Sequence, residues 1–200
     1  MVKFKLFIWA CLLFLCAQGV DARAGESLNY DQYYNNAASN AALYKASVID
    51  IEEFVKLREM NEVIIIDLRD ARDYEAIHIK GAINLTANQI TEEYLNKYIG
   101  DKNKTIIIYC DDSLNAIPYL SRTISLTAIC FPQLKMHGYH NIKVLDTSST
   151  RVVKNGKIKS AYLSQDEFAS KIKKIDFEYD KSKLQNAGDV SKNLARMLFE

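Results

Sequence analysis

The sequence predicts an α/β fold, an open parallel sheet flanked by helices, with a small C-terminal hairpin and helix extension. Two strand-like runs and one helical stripe carry this prediction. Val63-Ile-Ile-Ile66 and Ile106-Ile-Ile-Tyr109 are β-branched or aromatic without polar alternation, as expected of strands covered on both faces of a parallel sheet. After the second run, Ile117, Leu120, Ile124, Ala128 and Phe131 recur three or four apart, as on one face of a helix.

Taken in order, the chain of 200 residues opens with Lys3 and Lys5, an apolar run from Leu6 to Ala17, and Ala22-Arg23-Ala24. A basic start, a short apolar stretch and a small-x-small site are the pattern of a cleaved signal peptide over residues 1–24. The run is short for a membrane span, so no stable span is expected and the localisation implied is periplasmic. Cleavage would remove Lys3, Lys5, Arg23 and Asp21 from 26 basic and 25 acidic residues, leaving 23 and 24. That near-neutral balance argues against nucleic acid or an anionic membrane as a partner. It would also leave only Cys110 and Cys130 of the four cysteines. Nothing in the spacing brings these two within bonding range, and a buried, free Cys130 is expected.

Residues 25–45, rich in Asn, Ala and Tyr, form an N-terminal arm, either a short helix or a partly ordered segment. Asp50-Ile-Glu-Glu53 has capping-box spacing for a helix ending near Asn61. The first strand follows and ends in Asp67-Leu-Arg69. Residues 88–99 read as a helix with Ile90, Tyr94, Leu95 and Tyr98 on one side and Gly100 as its stop.

Cys110 comes where the second strand ends and helical sequence begins, and this is the usual ligand crevice of an open α/β sheet. Loop amides at such a point stabilise a thiolate. Cys110 is therefore the candidate nucleophile, with Asp111, Asp112, Ser113, Leu114 and Asn115 as its loop and Asp67 and Arg69 in support. Pro118 suits a first helical turn, and Pro132 is expected to end or kink the helix. Asn155-Gly156 predicts a type I′ hairpin between strands in residues 151–159. Ser164-x-x-Glu167 caps a helix through Ile172, and residues 175–198 read as one strand and one helix.

The order Asp67-x-Arg69, then His78-Ile79-x-Gly81-Ala82-Ile83-Asn84, then Tyr109-Cys110, then Gly138-Tyr139-x-Asn141-Ile142-x-Val144-Leu145 closely resembles the rhodanese-like family. The resemblance covers residues 46–147, about one domain, with residues 148–200 as a C-terminal extension. It implies a sulfurtransferase in which Cys110 carries the sulfur, no cofactor, a structural role for His78, and for Arg69 either a place in the site floor or a plain ion pair with Asp67. His78 has no partner at metal-ligand spacing, and no metal is expected. The chain departs from the family where Ser113, Asn115 and Ala116 replace the usual glycine, arginine and serine, and where Gly138 comes late after Cys110. Arg122 lies too far along for the closing arginine of related phosphatases and arsenate reductases. Residues 175–198 are also similar to the opening of outer-membrane-protein-A-like peptidoglycan-binding domains, without that family's ligand residues.

Asp111 and Asp112, next to the nucleophile, disfavour a thiolate and repel an anionic sulfur donor unless their side chains turn outward. Two function classes follow. One is a non-catalytic or narrowly specialised binding or scaffold module with a cysteine-centred crevice, whose partner would be an envelope protein, and the acidic loop favours it. The other is a thiosulfate- or persulfide-type sulfurtransferase acting on a small sulfur-containing anion and a thiol acceptor.

Overall fold

A computed structural model describes residues 30–60, 62–115, 125–154 and 157–200, with side chains described outside 30–34, 36–37, 151–154 and 157–160. The signal peptide, Pro118 and Asn155-Gly156 lie outside the described residues. Residues 36–200 form one compact unit, which holds the sheet and the candidate site.

Helix α1 (Tyr30–Ser47) leads into β1 (Val48–Ile49), α2 (Ile51–Met60) and β2 (Val63–Asp67). Asp50 starts α2 as its spacing predicts, accepting the Glu53 amide at 3.0 Å. Next come α3 (Ala71–Ala76), β3 (Ile77–Ile79), β4 (Ile83–Asn84), a 3₁₀ turn over Ala87–Gln89, α4 (Glu92–Tyr98) and β5 (Thr105–Tyr109). The helix expected over residues 88–99 is thus split at Ile90. Thr91 begins the second piece by accepting the Tyr94 amide, and such local side-chain caps compete with a continuous helix.

After β5 the chain makes α5 (Asp111–Leu114), α6 (Leu126–Met136), β6 (Ile142–Leu145), and the hairpin β7 (Ser149–Lys154) and β8 (Lys157–Tyr162). It ends with α7 (Gln165–Ile172), β9 (Phe177–Tyr179), α8 (Lys181–Leu184) and α9 (Asp189–Phe199). Helix α6 continues four residues past Pro132 instead of ending there. Its buried positions are Thr127, Cys130, Phe131, Pro132 and Leu134, and Ala128, expected on the apolar face, is exposed. Burial of that stripe offsets the hydrogen bond that Pro132 cannot donate. Gly138 (φ 86°) then takes the left-handed conformation that closes the helix, its amide on the Lys135 carbonyl and that of Tyr139 on Leu134.

The main sheet has the order β1-β6-β5-β2-β4, and every pairing is parallel. β5 is central, with Ile106 opposite both Ile64 and Ile142. Side-chain alternation divides β5 between two cores. Ile107 and Tyr109 join Phe54, Phe168, Ile172, Leu194 and Ala195 on one face. Ile106, Ile108 and Cys110 join Leu95, Cys130, Phe131 and Leu134 on the other. The C-terminal residues therefore complete the first core, and burying a side chain such as Phe168 or Leu194 contributes roughly 1.5–3 kcal/mol. A second tie is β9, which pairs antiparallel with β3 and sets Ile77 opposite Tyr179.

Candidate active site

Cys110 lies at the carboxyl end of the central strand, 2 % exposed. The Leu68 amide bonds to the Tyr109 carbonyl at 3.0 Å, so the ends of β2 and β5 stay in register and Asp67, Arg69 and the cysteine come to one edge of the sheet. Cys110 is also the N-cap of α5. Its amide donates to Ser113 Oγ at 3.2 Å, and its carbonyl accepts the Ser113 amide at 3.0 Å. The turn is anchored from outside, because both the Thr147 amide, at 3.1 Å, and the Thr147 hydroxyl donate to the Ser113 carbonyl.

The sulfur meets a line of hydroxyls. Sγ is 3.5 Å from Ser125 Oγ, which is 2.8 Å from Thr127 Oγ1, which is 2.8 Å from the Tyr44 hydroxyl. Burial holds Tyr44 above its ordinary phenol range, so this line is neutral at physiological pH. Cys130 sits on the same face and is free, as is Cys110. Burial, with the nearby Cys110 charge as a lesser cause, pushes the Cys130 thiol up to about 12, so it is inert as a nucleophile. Cys110 is the nucleophile candidate the geometry retains.

Asp67 and Arg69 lie on the opposite face in a buried hydrogen-bond network. Arg69 Nε reaches Asp67 Oδ1 at 3.0 Å, and Nη2 reaches Oδ2 at 2.6 Å. Nη2 also donates to the Ile77 carbonyl at 2.6 Å and Nη1 to Ser191 Oγ at 3.0 Å. Both ionic side chains are fully buried. Burial opposes the Arg69 charge, but the Asp67 carboxylate more than offsets it and raises the guanidinium pKa. Ser191 passes the network on by donating to Asp73 Oδ1 at 2.8 Å. Burial likewise opposes the Asp73 charge, yet the donors Ser191, Gly188 and Arg72 hold its carboxyl below the ordinary range.

The two loop carboxylates take different surroundings. Asp111 is drawn to the ionic face, with Oδ1 3.9 Å from Arg69 Nη1. Burial raises its pKa to about 6, against the pull of Arg69 and with help from Asp73, Asp67 and Asp70. Asp112 instead lines a cavity of about 280 Å³ together with Ser113, Ser125, Thr127, Tyr44 and Asp146. Leu114 is buried in the first core, and Asn115 is half-buried at the end of the described loop. His78 is structural: Nδ1 bonds to the Tyr74 carbonyl at 2.7 Å, and the two rings stack at 4.0 Å. Sequence reasoning missed Tyr44, Ser125, Thr127, Asp146, Thr147 and Ser191. They are common polar residues scattered along the chain, with no spacing that could have marked them.

The sequence matches the family model of the rhodanese-like domain over residues 50–155. Among solved structures it is similar to the BH2092 protein from Bacillus halodurans, at 25 % identity and TM-score 0.40, covering 56 % of this chain and 76 % of that one. The rhodanese-like domain of the Alr3790 protein from Anabaena sp. shows 18 % identity and TM-score 0.39, with 50 % and 67 % covered. A rhodanese with anions from E. coli shows 22 % identity and TM-score 0.34, with 42 % and 86 % covered. No curated protein matches. The matched segment spans more than half of the sequence and contains β2, β5, Cys110 and its loop, so this chain belongs to the rhodanese-like domain family.

Proposed function

We propose that the protein is a sulfurtransferase in which Cys110 carries the sulfur. The observation that supports this best is the placing of Sγ at the end of the central parallel strand, 3.5 Å from the Ser125 hydroxyl at the head of the hydroxyl line through Thr127 and Tyr44. Neutral donors so placed stabilise an anionic sulfur without an added cation. In the first step the Cys110 thiolate attacks the outer sulfur of a sulfane donor. A new S–S bond forms, the donor's S–S bond breaks, and the remaining fragment leaves with the electron pair. In the second step an acceptor nucleophile takes the terminal sulfur and the electron pair returns to Sγ, so there is no net oxidation. Asp111, drawn to Arg69, weighs less against a thiolate here than its position in the sequence implies.

Intact-mass measurement after incubation with polysulfide or thiosulfate tests the reading. Wild-type protein should gain the mass of one sulfur atom and lose it to a thiol acceptor, and Cys110→Ala should gain none. Retention of the adduct by Cys110→Ala, or no adduct with either donor, overturns the proposal. The second reading, a binding module without chemistry, draws support from the 2 % exposure of Cys110, and the same experiment decides between them. The lysine-flanked apolar run in residues 1–24 supports export to the periplasm, which N-terminal sequencing after fractionation tests. Among the described residues, no helix is long and apolar enough to cross a membrane.

A further inference from the structure

The described lining of the cavity beside Cys110 has a one-sided chemistry. It measures about 280 Å³, enough for a ligand of a few heavy atoms. Ser125 connects it to the nucleophile, since this residue is both part of its wall and 3.5 Å from Sγ. Its charged lining residues are Asp112 and Asp146, and no Lys, Arg or His is among its described lining residues. Asp146 is bonded by neutral donors: the Ser148 amide at 2.9 Å, the Ser148 hydroxyl at 2.6 Å and the Ser149 hydroxyl at 2.7 Å. These contacts fix its direction and leave its negative charge in place. Tyr44 and Tyr162 add aromatic surface, with Tyr162 60 % exposed. Carboxylates with aromatic surface and hydroxyls around a small cavity complement a cation. An anionic acceptor would lose its hydration there and meet two like charges.

We infer that this cavity is the acceptor subsite and that the acceptor is a small cationic thiol, with an ammonium or guanidinium group a few bonds from its sulfur. The inference rests on the proposed sulfur-carrying role of Cys110. The ammonium group sits between Asp112 and Asp146, and the acceptor sulfur lies on the Ser125 side. Its thiol proton passes to solvent, the thiolate attacks the terminal sulfur of the Cys110 persulfide, and a new S–S bond forms on the acceptor. The bond between Sγ and that sulfur breaks, and its electron pair regenerates the Cys110 thiolate.

The test compares cysteamine, 2-mercaptoethanol and 3-mercaptopropionate as acceptors. Loading of each protein is first established by intact mass. Single-turnover loss of the terminal sulfur is then followed with wild type and with Asp112→Asn combined with Asp146→Asn. Because these thiols differ in intrinsic reactivity, the quantity read is the preference for cysteamine over 3-mercaptopropionate in wild type divided by that in the double variant. A ratio of about ten is expected, the combined effect of two partly exposed charge pairs, with 2-mercaptoethanol falling between. A ratio near one, or an inverted one, overturns the subsite. Binding of S-methylcysteamine and of 3-(methylthio)propionate to unloaded protein, followed by NMR, reads the cavity without any transfer step. Shifts of Ser125, Thr127 and Tyr44 with the cationic ligand alone support the subsite, and shifts with neither or both ligands refute it. A loading failure with selective cation binding refutes the sulfurtransferase and leaves a cation-binding cavity. Normal loading without selectivity refutes the subsite alone.

Discussion

The two faces of the sheet handle polar groups in opposite ways. On the face completed by the C-terminal helices, a fully buried guanidinium is held by Asp67, the Ile77 carbonyl and Ser191. On the Cys110 face, the sulfur meets neutral hydroxyls and borders a cavity. A buried ion pair bonded to side chains and backbone on several elements fixes geometry. A thiol beside hydroxyls and a cavity has room for a ligand. The difference separates the ionic network of Arg69 from the proposed site at Cys110, with α5 as the link: Asp111 leans to the first face while Ser113 and Cys110 border the second.

The strongest way to break this division is Arg69→Met, which leaves the fully buried Asp67 carboxylate without its cation. Urea denaturation should show a loss of about 3–5 kcal/mol, and a loss below 1 kcal/mol would mean that the network carries no structure. Leu194→Ala asks whether α9 belongs to the core. At 2 % exposure the truncation should cost about 2–4 kcal/mol, and an unchanged denaturation midpoint would remove the C-terminal helix from the folding unit.

Asp111 sharpens the comparison through pH. Its folded-state pKa of about 6 stands above the ordinary 3.8, so between these values the folded chain binds more protons than the unfolded one. Stability from this group is therefore greatest below about pH 4 and falls as pH rises to 6, the reverse of a salt-bridged carboxylate. Asp111→Asn should stabilise the protein at pH 7 by about 1 kcal/mol or less, since the side chain is half-exposed, and the gain should vanish at pH 4. A gain that persisted at pH 4 would contradict the titration. Ser125→Ala is the smallest change. Losing one hydroxyl near Sγ should cost about 0.5–1 kcal/mol and slow iodoacetamide labelling of Cys110 at pH 7 about three-fold. Labelling at the wild-type rate would take the hydroxyl line out of the chemistry.

Much of this was legible in the chain itself because it depends on neighbours in sequence. The unalternated runs at 63–66 and 106–109 require strands covered on both sides, Asp50 and Ser164 carry their capping partners three residues on, and Cys110 is tied to the end of β5 by position alone. Local signals left two outcomes open where packing competes with them, as at Pro132, where the helix continues with Phe131 and Leu134 buried and does not end. What only the tertiary structure decided is the set of side chains around the sulfur and the arginine. Tyr44 meets Thr127 across 83 positions and Arg69 meets Ser191 across 122, and no period in the sequence marks contacts made between distant elements. The same reason separates the two loop aspartates: adjacent in sequence, one faces a buried guanidinium and the other an open cavity, because a helical turn sends consecutive side chains in different directions.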